Sequence, residues 1–504
     1  MRRFFLVVLF GTLGLPGCGG GSSSPMPVTV FLTPTLGQSV SQGKSLNITA
    51  TVSDAKGVTW NLSGPGLLVN PTEFTVTYIA PSSVVANTNA VVTATSVTSA
   101  SASASLPLTV LPFNVFGNVQ PVNVDGGPVA GQIYPNGAFT SVTICQPGTT
   151  TCFAVDGILV DTGSSGLRVL ASALPSLPAL TDASGKPVSE CVQFVDHSYV
   201  WGNVAVADVR IGGEVAGSVS IQAIADPTGF AIPADCTNNG AGTDDDNQRS
   251  LGANGILGMG LEPQDCGASC DPSAGGTPPG PAYYTCPGGS CTAAFVPLAQ
   301  QVTHPVVLFG VDNNGLALQL PTPAGVAATL TGSMVFGIGT QLNNVLGKAT
   351  IFTVDSNDNL TTNLASTGQS LTASFLDSGS SGLFFPDGGL PVCLSPESSF
   401  FCPPSTIPLT ATIVGSNKAQ SAINFSVGNA DDLFKGNPGD AAFSNLAGPN
   451  GSGGCSDGSG ACSFDWGLPF FYGRTVFAAI NGQQAPIATP AAPWWAYTIN
   501  FSEN

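Results

Sequence analysis

Two distant stretches of this chain are nearly the same. Ile158-Leu159-Val160-Asp161-Thr162-Gly163-Ser164-Ser165-Gly166-Leu167 is echoed by Ser374-Phe375-Leu376-Asp377-Ser378-Gly379-Ser380-Ser381-Gly382-Leu383. Each copy is an apolar run that ends in Asp-Thr/Ser-Gly-Ser. Each is followed at a similar distance by a second apolar element, Asn254-Gly255-Ile256-Leu257-Gly258 in the first case and Trp466-Gly467-Leu468-Pro469-Phe470 in the second. A repeat of this kind predicts two units of common design, each delivering one carboxylate at a strand end.

Composition narrows the fold around that repeat. Among 504 residues there are 63 Gly and 40 Pro, only 8% are charged and 43% are hydrophobic. That length corresponds to roughly three domains of about 150 residues each. Abundant turn residues between short apolar runs predict an all-β chain of many strands rather than helical bundles. The formal charge of −18, from 30 acidic and 12 basic side chains, leaves no material for a phosphate-binding groove, so nucleic acid is excluded as a partner. Two histidines cannot build a multi-histidine metal site, and neither metal nor cofactor is expected.

The first residues read as an address. Met1-Arg2-Arg3, the apolar Phe4–Phe10 run and Leu15-Pro16-Gly17-Cys18 form an export signal too short to span a bilayer as a mature helix. The placement of Cys18 resembles a bacterial lipoprotein signal, which implies that this cysteine is lipidated and becomes the first residue, with residues 19–27 as a flexible tether and Gly19 suited to outer-membrane sorting. The other 12 cysteines lie between Cys145 and Cys462. In an exported chain an even set reads as disulfides. Connectivity is open, but neighbour pairing closes short loops as Cys145–Cys152, Cys266–Cys270, Cys286–Cys291, Cys393–Cys402 and Cys455–Cys462, leaving Cys191–Cys236. A zinc set of Cys266, Cys270, Cys286 and Cys291 is the rival use, disfavoured by loose spacing and an oxidising compartment.

Residues 28–112 alternate Thr/Ser/Asn with Val/Leu/Ile at period two, as in Leu46-Asn47-Ile48-Thr49-Ala50-Thr51-Val52. This predicts a β-sandwich with Trp60 as its core anchor, similar to bacterial immunoglobulin-like spacer domains. Residues 113–315 and 316–504 then form the two similar lobes. Asp244-Asp245-Asp246 reads as a solvated loop.

Chemistry concentrates in the paired loops. An aspartate leaving a buried strand emerges from an apolar wall. Gly163 and Gly379 permit a sharp turn, Ser164 and Ser380 can hold the outer carboxyl oxygens, and Thr162 and Ser378 can bond across to the opposite lobe. Two carboxyls sharing one site hold one proton between them and titrate as a pair. Residues 113–504 thus resemble a bilobal, pepsin-type aspartic peptidase. Asp161-Thr162-Gly163-Ser164 and Asp377-Ser378-Gly379-Ser380 match its two catalytic loops, Gly255-Ile256-Leu257-Gly258 matches the segment behind the first, and Trp466, Leu468, Phe471 and Arg474 match the second-lobe counterpart. The chain also resembles an uncharacterised family of exported bacterial lipoproteins, which by itself implies no activity. The peptidase resemblance implies a double-β-barrel fold, catalysis by Asp161 and Asp377, a peptide or protein substrate and no cofactor. It also implies a hairpin flap, for which Tyr199 and Trp201 are the candidates. Departures are Pro469 in a glycine's place, Arg168 where the family often has tryptophan, and no basic propeptide, since residues 19–112 hold only Lys44 and Lys56. The expected function is a membrane-tethered aspartic endopeptidase. The alternative is a catalytically silent surface lipoprotein of the same fold that binds a peptide, protein or glycan. Oligomeric state is left open.

Overall fold

The computed structural model describes residues 27–499 except 36, 42–43, 82–87, 112–116, 226–230, 324, 451–461, 485 and 487–488. Cys18 and Cys455 lie outside the described residues.

The chain is all-β. Strands Val30–Thr33, Ser45–Val52, Thr75–Ile79 and Leu67–Val69 form one four-stranded sheet, and Gln38–Ser41, Ser103–Leu111, Thr88–Ser96 and Val58–Ser63 form another. The two face each other as a sandwich. Period-two alternation causes it: in Ser45–Val52 every second residue is buried, placing Leu46, Ile48, Ala50 and Val52 in one apolar layer. Trp60 is not the centre of this core. It is half-buried and donates through Nε1 to Thr72 O at 3.0 Å, whereas Tyr78 is fully buried with its hydroxyl on Pro65 O. The indole seeks a partner at the rim, as a buried N–H would otherwise lie unpaired. Ser39 Oγ donates to Gly213 O, so the sandwich touches the tip of a hairpin in the following region.

Beyond the sandwich, a sixteen-stranded sheet runs from the first repeat into the last strands of the chain, and a seven-stranded sheet carries the second repeat. Equivalent three-strand threads occur in both. In the first, Cys152–Asp161 runs parallel to Gly255–Met259, which lies antiparallel to Ser165–Leu170. In the second, Gln369–Leu376 runs parallel to Asp465–Trp466, which lies antiparallel to Leu383–Phe384. One core joins both threads: Val160, Leu167 and Leu257 from the first, Leu376, Leu383 and Trp466 from the second. Trp466 stacks on Phe464 at 3.9 Å and donates to Thr362 Oγ1.

Register corrects one sequence expectation. Val160 pairs with Leu257 and Leu376 pairs with Trp466, so the counterpart of Ile256-Leu257-Gly258 is Asp465-Trp466-Gly467. The sequence match set at Leu468 slips back three residues to Asp465. Glycine is therefore kept: a Cβ on Gly467 would meet Gly382 O at 2.0 Å, and one on Gly258 would meet Ser165 backbone at 2.7 Å. Pro469 instead sits in the first turn of the short helix Leu468–Phe471, a position that spares its missing N–H. What departs is Asp465, a carboxyl where the first half has isoleucine.

Cys145–Cys152, Cys191–Cys236, Cys266–Cys270, Cys286–Cys291 and Cys393–Cys402 are disulfides. The four cysteines of the rival zinc set are thus paired with one another. Such cross-links mark an extracytoplasmic protein. Among the described residues no helix is long and apolar enough to cross a membrane.

Candidate active site

Both aspartates emerge where their parallel strands end. Asp161 is 7% exposed, and Asp377 keeps a partly open edge. Gly163 N–H donates to Asp161 Oδ1 and Gly379 N–H to Asp377 Oδ1, each at 2.8 Å. The outer oxygens are held by hydroxyls: Ser164 Oγ donates to Asp161 Oδ2, and Ser380 Oγ lies 2.9 Å from Asp377 Oδ2. The two carboxyls are close enough that the charge of Asp161 acts on Asp377.

The loops lock reciprocally. Thr162 Oγ1 donates to Leu376 O and accepts from Ser378 N–H, both at 2.9 Å. Ser378 Oγ donates to Val160 O at 2.7 Å and accepts from Thr162 N–H at 3.1 Å. Each hydroxyl thereby satisfies a buried carbonyl and a buried amide of the opposite loop, which fixes the two strand ends against each other.

Gly163 and Gly379 are required for a reason the sequence did not reveal. A Cβ on Gly163 would lie 2.8 Å from Asp377 Cγ, and one on Gly379 would lie 2.7 Å from Asp161 Oδ1. Each glycine makes room for the opposite carboxyl, and neither has a left-handed φ.

Burial raises Asp377 well above the ordinary carboxylate range, and the charges of Asp161 and Asp465 push the same way. The pair therefore retains a proton where isolated carboxylates would have lost it.

The hairpin of Val188–Gln193 and Ser198–Ile211 has its tip at residues 194–197. Tyr199 and Trp201 are not brought to the carboxyls. Both are buried, 6% and 4% exposed, in a small core with the Cys191–Cys236 bridge and Tyr284. Strand alternation turns Val192, Phe194 and Val200 to the other face, where they pack with Tyr134. Tyr134 had no motif around it, yet it is the aromatic at the site. Its hydroxyl lies 3.4 Å from Gly379 O, and burial, with the charges of Asp377 and Asp161, raises its phenol. Its neighbour Asn136 was equally unmarked. Asn136 Nδ2 donates to Ser381 O and Phe443 O, while its Oδ1 accepts from Phe443 N–H and the Tyr472 hydroxyl. Its left-handed backbone, φ 53°, is one that asparagine adopts more readily than most residues.

Asp244 and Asp245, expected in a solvated loop, are half-buried along the hairpin, and burial pushes Asp245 up to about 6. Arg168 is 2% exposed, between Glu190 at 2.8 Å and Asp265 at 2.9 Å. It anchors the strand behind the first loop through Nη1 to Ser165 O.

No curated protein matches the chain. Residues 114–497, which contain both loops and both threads, match the family described as "Protein of unknown function (DUF3443)", and the chain belongs to that family.

Proposed function

We propose that this protein is an exported aspartic endopeptidase of the pepsin type that cleaves peptide bonds with water activated between Asp161 and Asp377. The reading is supported by one observation: equivalent strand ends of two related halves bring two carboxyls together, each packed against the opposite loop's glycine so closely that a Cβ there would collide with it. In the cycle, the ionised carboxyl takes a proton from water as the oxygen attacks the substrate carbonyl. The protonated carboxyl gives its hydrogen to the carbonyl oxygen, forming a gem-diol. Burial at Asp377 helps the pair keep that proton, which is shared by the two carboxyls rather than fixed on one. As the diol collapses, the carboxyl that took the water proton protonates the amine nitrogen, the other carboxyl takes a proton from a diol hydroxyl and the C–N bond breaks, leaving the pair singly protonated. No covalent intermediate forms. Because that proton must be held, activity falls as pH rises through the pair's upper titration.

Cys18 supplies the lipid anchor, residues 19–27 the tether and the sandwich a spacer, which places the enzyme at the outer membrane of its host. The test is digestion of a reduced, unfolded protein by wild type between pH 3 and 7. Internal cleavage that persists in chelator is the expected result; intact substrate at every pH would remove the endopeptidase and leave the binding role.

A further inference from the structure

The two halves differ at one chemically loaded point. In the first, among the described residues, Ser164 Oγ meets only Asp161, and the adjacent thread carries Ile256. In the second, Ser380 Oγ lies 2.9 Å from Asp377 Oδ2 and 2.7 Å from Asp465 Oδ2. A serine hydroxyl has one hydrogen to donate. Two carboxyl oxygens on one hydroxyl therefore require that one carboxyl bring its own proton.

Resting on the endopeptidase reading, we propose that Asp465 is a positioning residue: it stays protonated, donates to Ser380 Oγ, and so fixes the Ser380 hydrogen on the outer oxygen of Asp377. Three observations choose Asp465 as the donor. Asp377 Oδ1 already accepts from Gly379 N–H at 2.8 Å and Ser380 N–H at 3.3 Å, so its negative form is well supplied. Asp465 is only 4% exposed, and among the described residues its Oδ1 has no hydrogen-bond partner. The strands beside it present Phe375, Leu376, Leu383 and Phe384, and the titratable groups facing it are Asp377 and Asp161, both acidic. Among the described residues no cation opposes this: burial pushes its carboxyl up to about 8, the Ser380 bond acts against the rise and the Asp161 charge adds to it.

Loss of the Asp465 proton would leave two carboxylates competing for one hydroxyl hydrogen and add a negative charge beside the pair. Productive enzyme thus needs two protons, one between Asp161 and Asp377 and one on Asp465. The test is the alkaline limb of log kcat/KM against pH. Wild type is expected to fall with a slope near two, about a hundredfold per pH unit at the limit. Asp465→Asn, whose amide donates to Ser380 at every pH, is expected to fall with a slope near one. Ser380→Ala cuts the link and is expected to show the same single slope with a lower kcat. Coincident limbs in wild type and Asp465→Asn, or a folded Asp465→Asn without turnover at acid pH, overturn the proposal. Should wild type itself hydrolyse nothing, the endopeptidase reading fails separately. Infrared difference spectra then decide the proton alone: a neutral carboxylic acid band at pH 7 that disappears in Asp465→Asn supports its placement, and an unchanged spectrum overturns it.

Discussion

Replacing either aspartate by asparagine is expected to lower kcat for protein hydrolysis by at least about a thousandfold, the scale of a lost general acid or base, with KM little changed. The substitution keeps size and the hydrogen bonds from Gly163 or Gly379, so the loops should remain locked by Thr162 and Ser378. What disappears is the shared proton: an amide cannot exchange it, and the surviving carboxyl has no partner with which to divide the acid and base roles. The double variant should be no worse than either single one, because the pair acts as a unit. Steady-state digestion with circular dichroism as the folding control checks this. Activity retained in one variant would assign the chemistry to the other carboxyl alone.

The second large effect lies behind the first loop. Arg168→Met is expected to destabilise the fold by about 3–5 kcal/mol, the cost of leaving buried charge uncompensated. Arg168 is enclosed with Glu190, itself 1% exposed, and with Asp265, which also accepts from the Tyr283 hydroxyl at 2.6 Å. Burial already raises Glu190 well above its ordinary 4.5, and the Arg168 charge opposes that rise. Without arginine the folded-state value climbs further. A raised acid contributes stability below its unfolded value and loses it as pH rises toward the folded one. The deficit of Arg168→Met should therefore be smallest at acid pH, where Glu190 is protonated in both folded proteins, and grow once pH passes its raised folded value in the wild type. Adding Glu190→Gln and Asp265→Asn should recover much of the loss. Chemical denaturation at pH 4 and pH 8 checks both statements; a deficit independent of pH would contradict them.

How far these features were legible in the sequence depended on their range along the chain. Asp161, Thr162, Gly163 and Ser164, with Asp377, Ser378, Gly379 and Ser380, are contiguous, so the pattern and its hydrogen bonds could be anticipated together. Five disulfides join cysteines that are neighbours in order: four close short loops, which made them readable, and Cys191–Cys236, 45 residues apart, was the pair left over. The sandwich strands followed from period two, although Trp60 did not reach the centre. Asp465 was hidden because Gly467-Leu468 imitates Gly255-Ile256, and only strand register separates the two alignments. Tyr199 and Trp201 misled because aromatic identity says nothing about which face of a strand a residue takes. Tyr134 and Asn136 carry no local signal, since Asn136 meets partners as distant as Phe443 and Tyr472.

The proposal turns on carboxyls at 161 and 377 that are complementary to a tetrahedral carbon bearing hydroxyl, rather than to a planar peptide. Calorimetric binding of a peptide whose scissile carbonyl is replaced by a hydroxyl-bearing carbon measures this directly. Wild type should bind it at least about a hundredfold more tightly than the parent peptide, as expected of a transition-state mimic, and Asp161→Asn and Asp377→Asn should lose that advantage. Equal affinity for both peptides in all three proteins would contradict it.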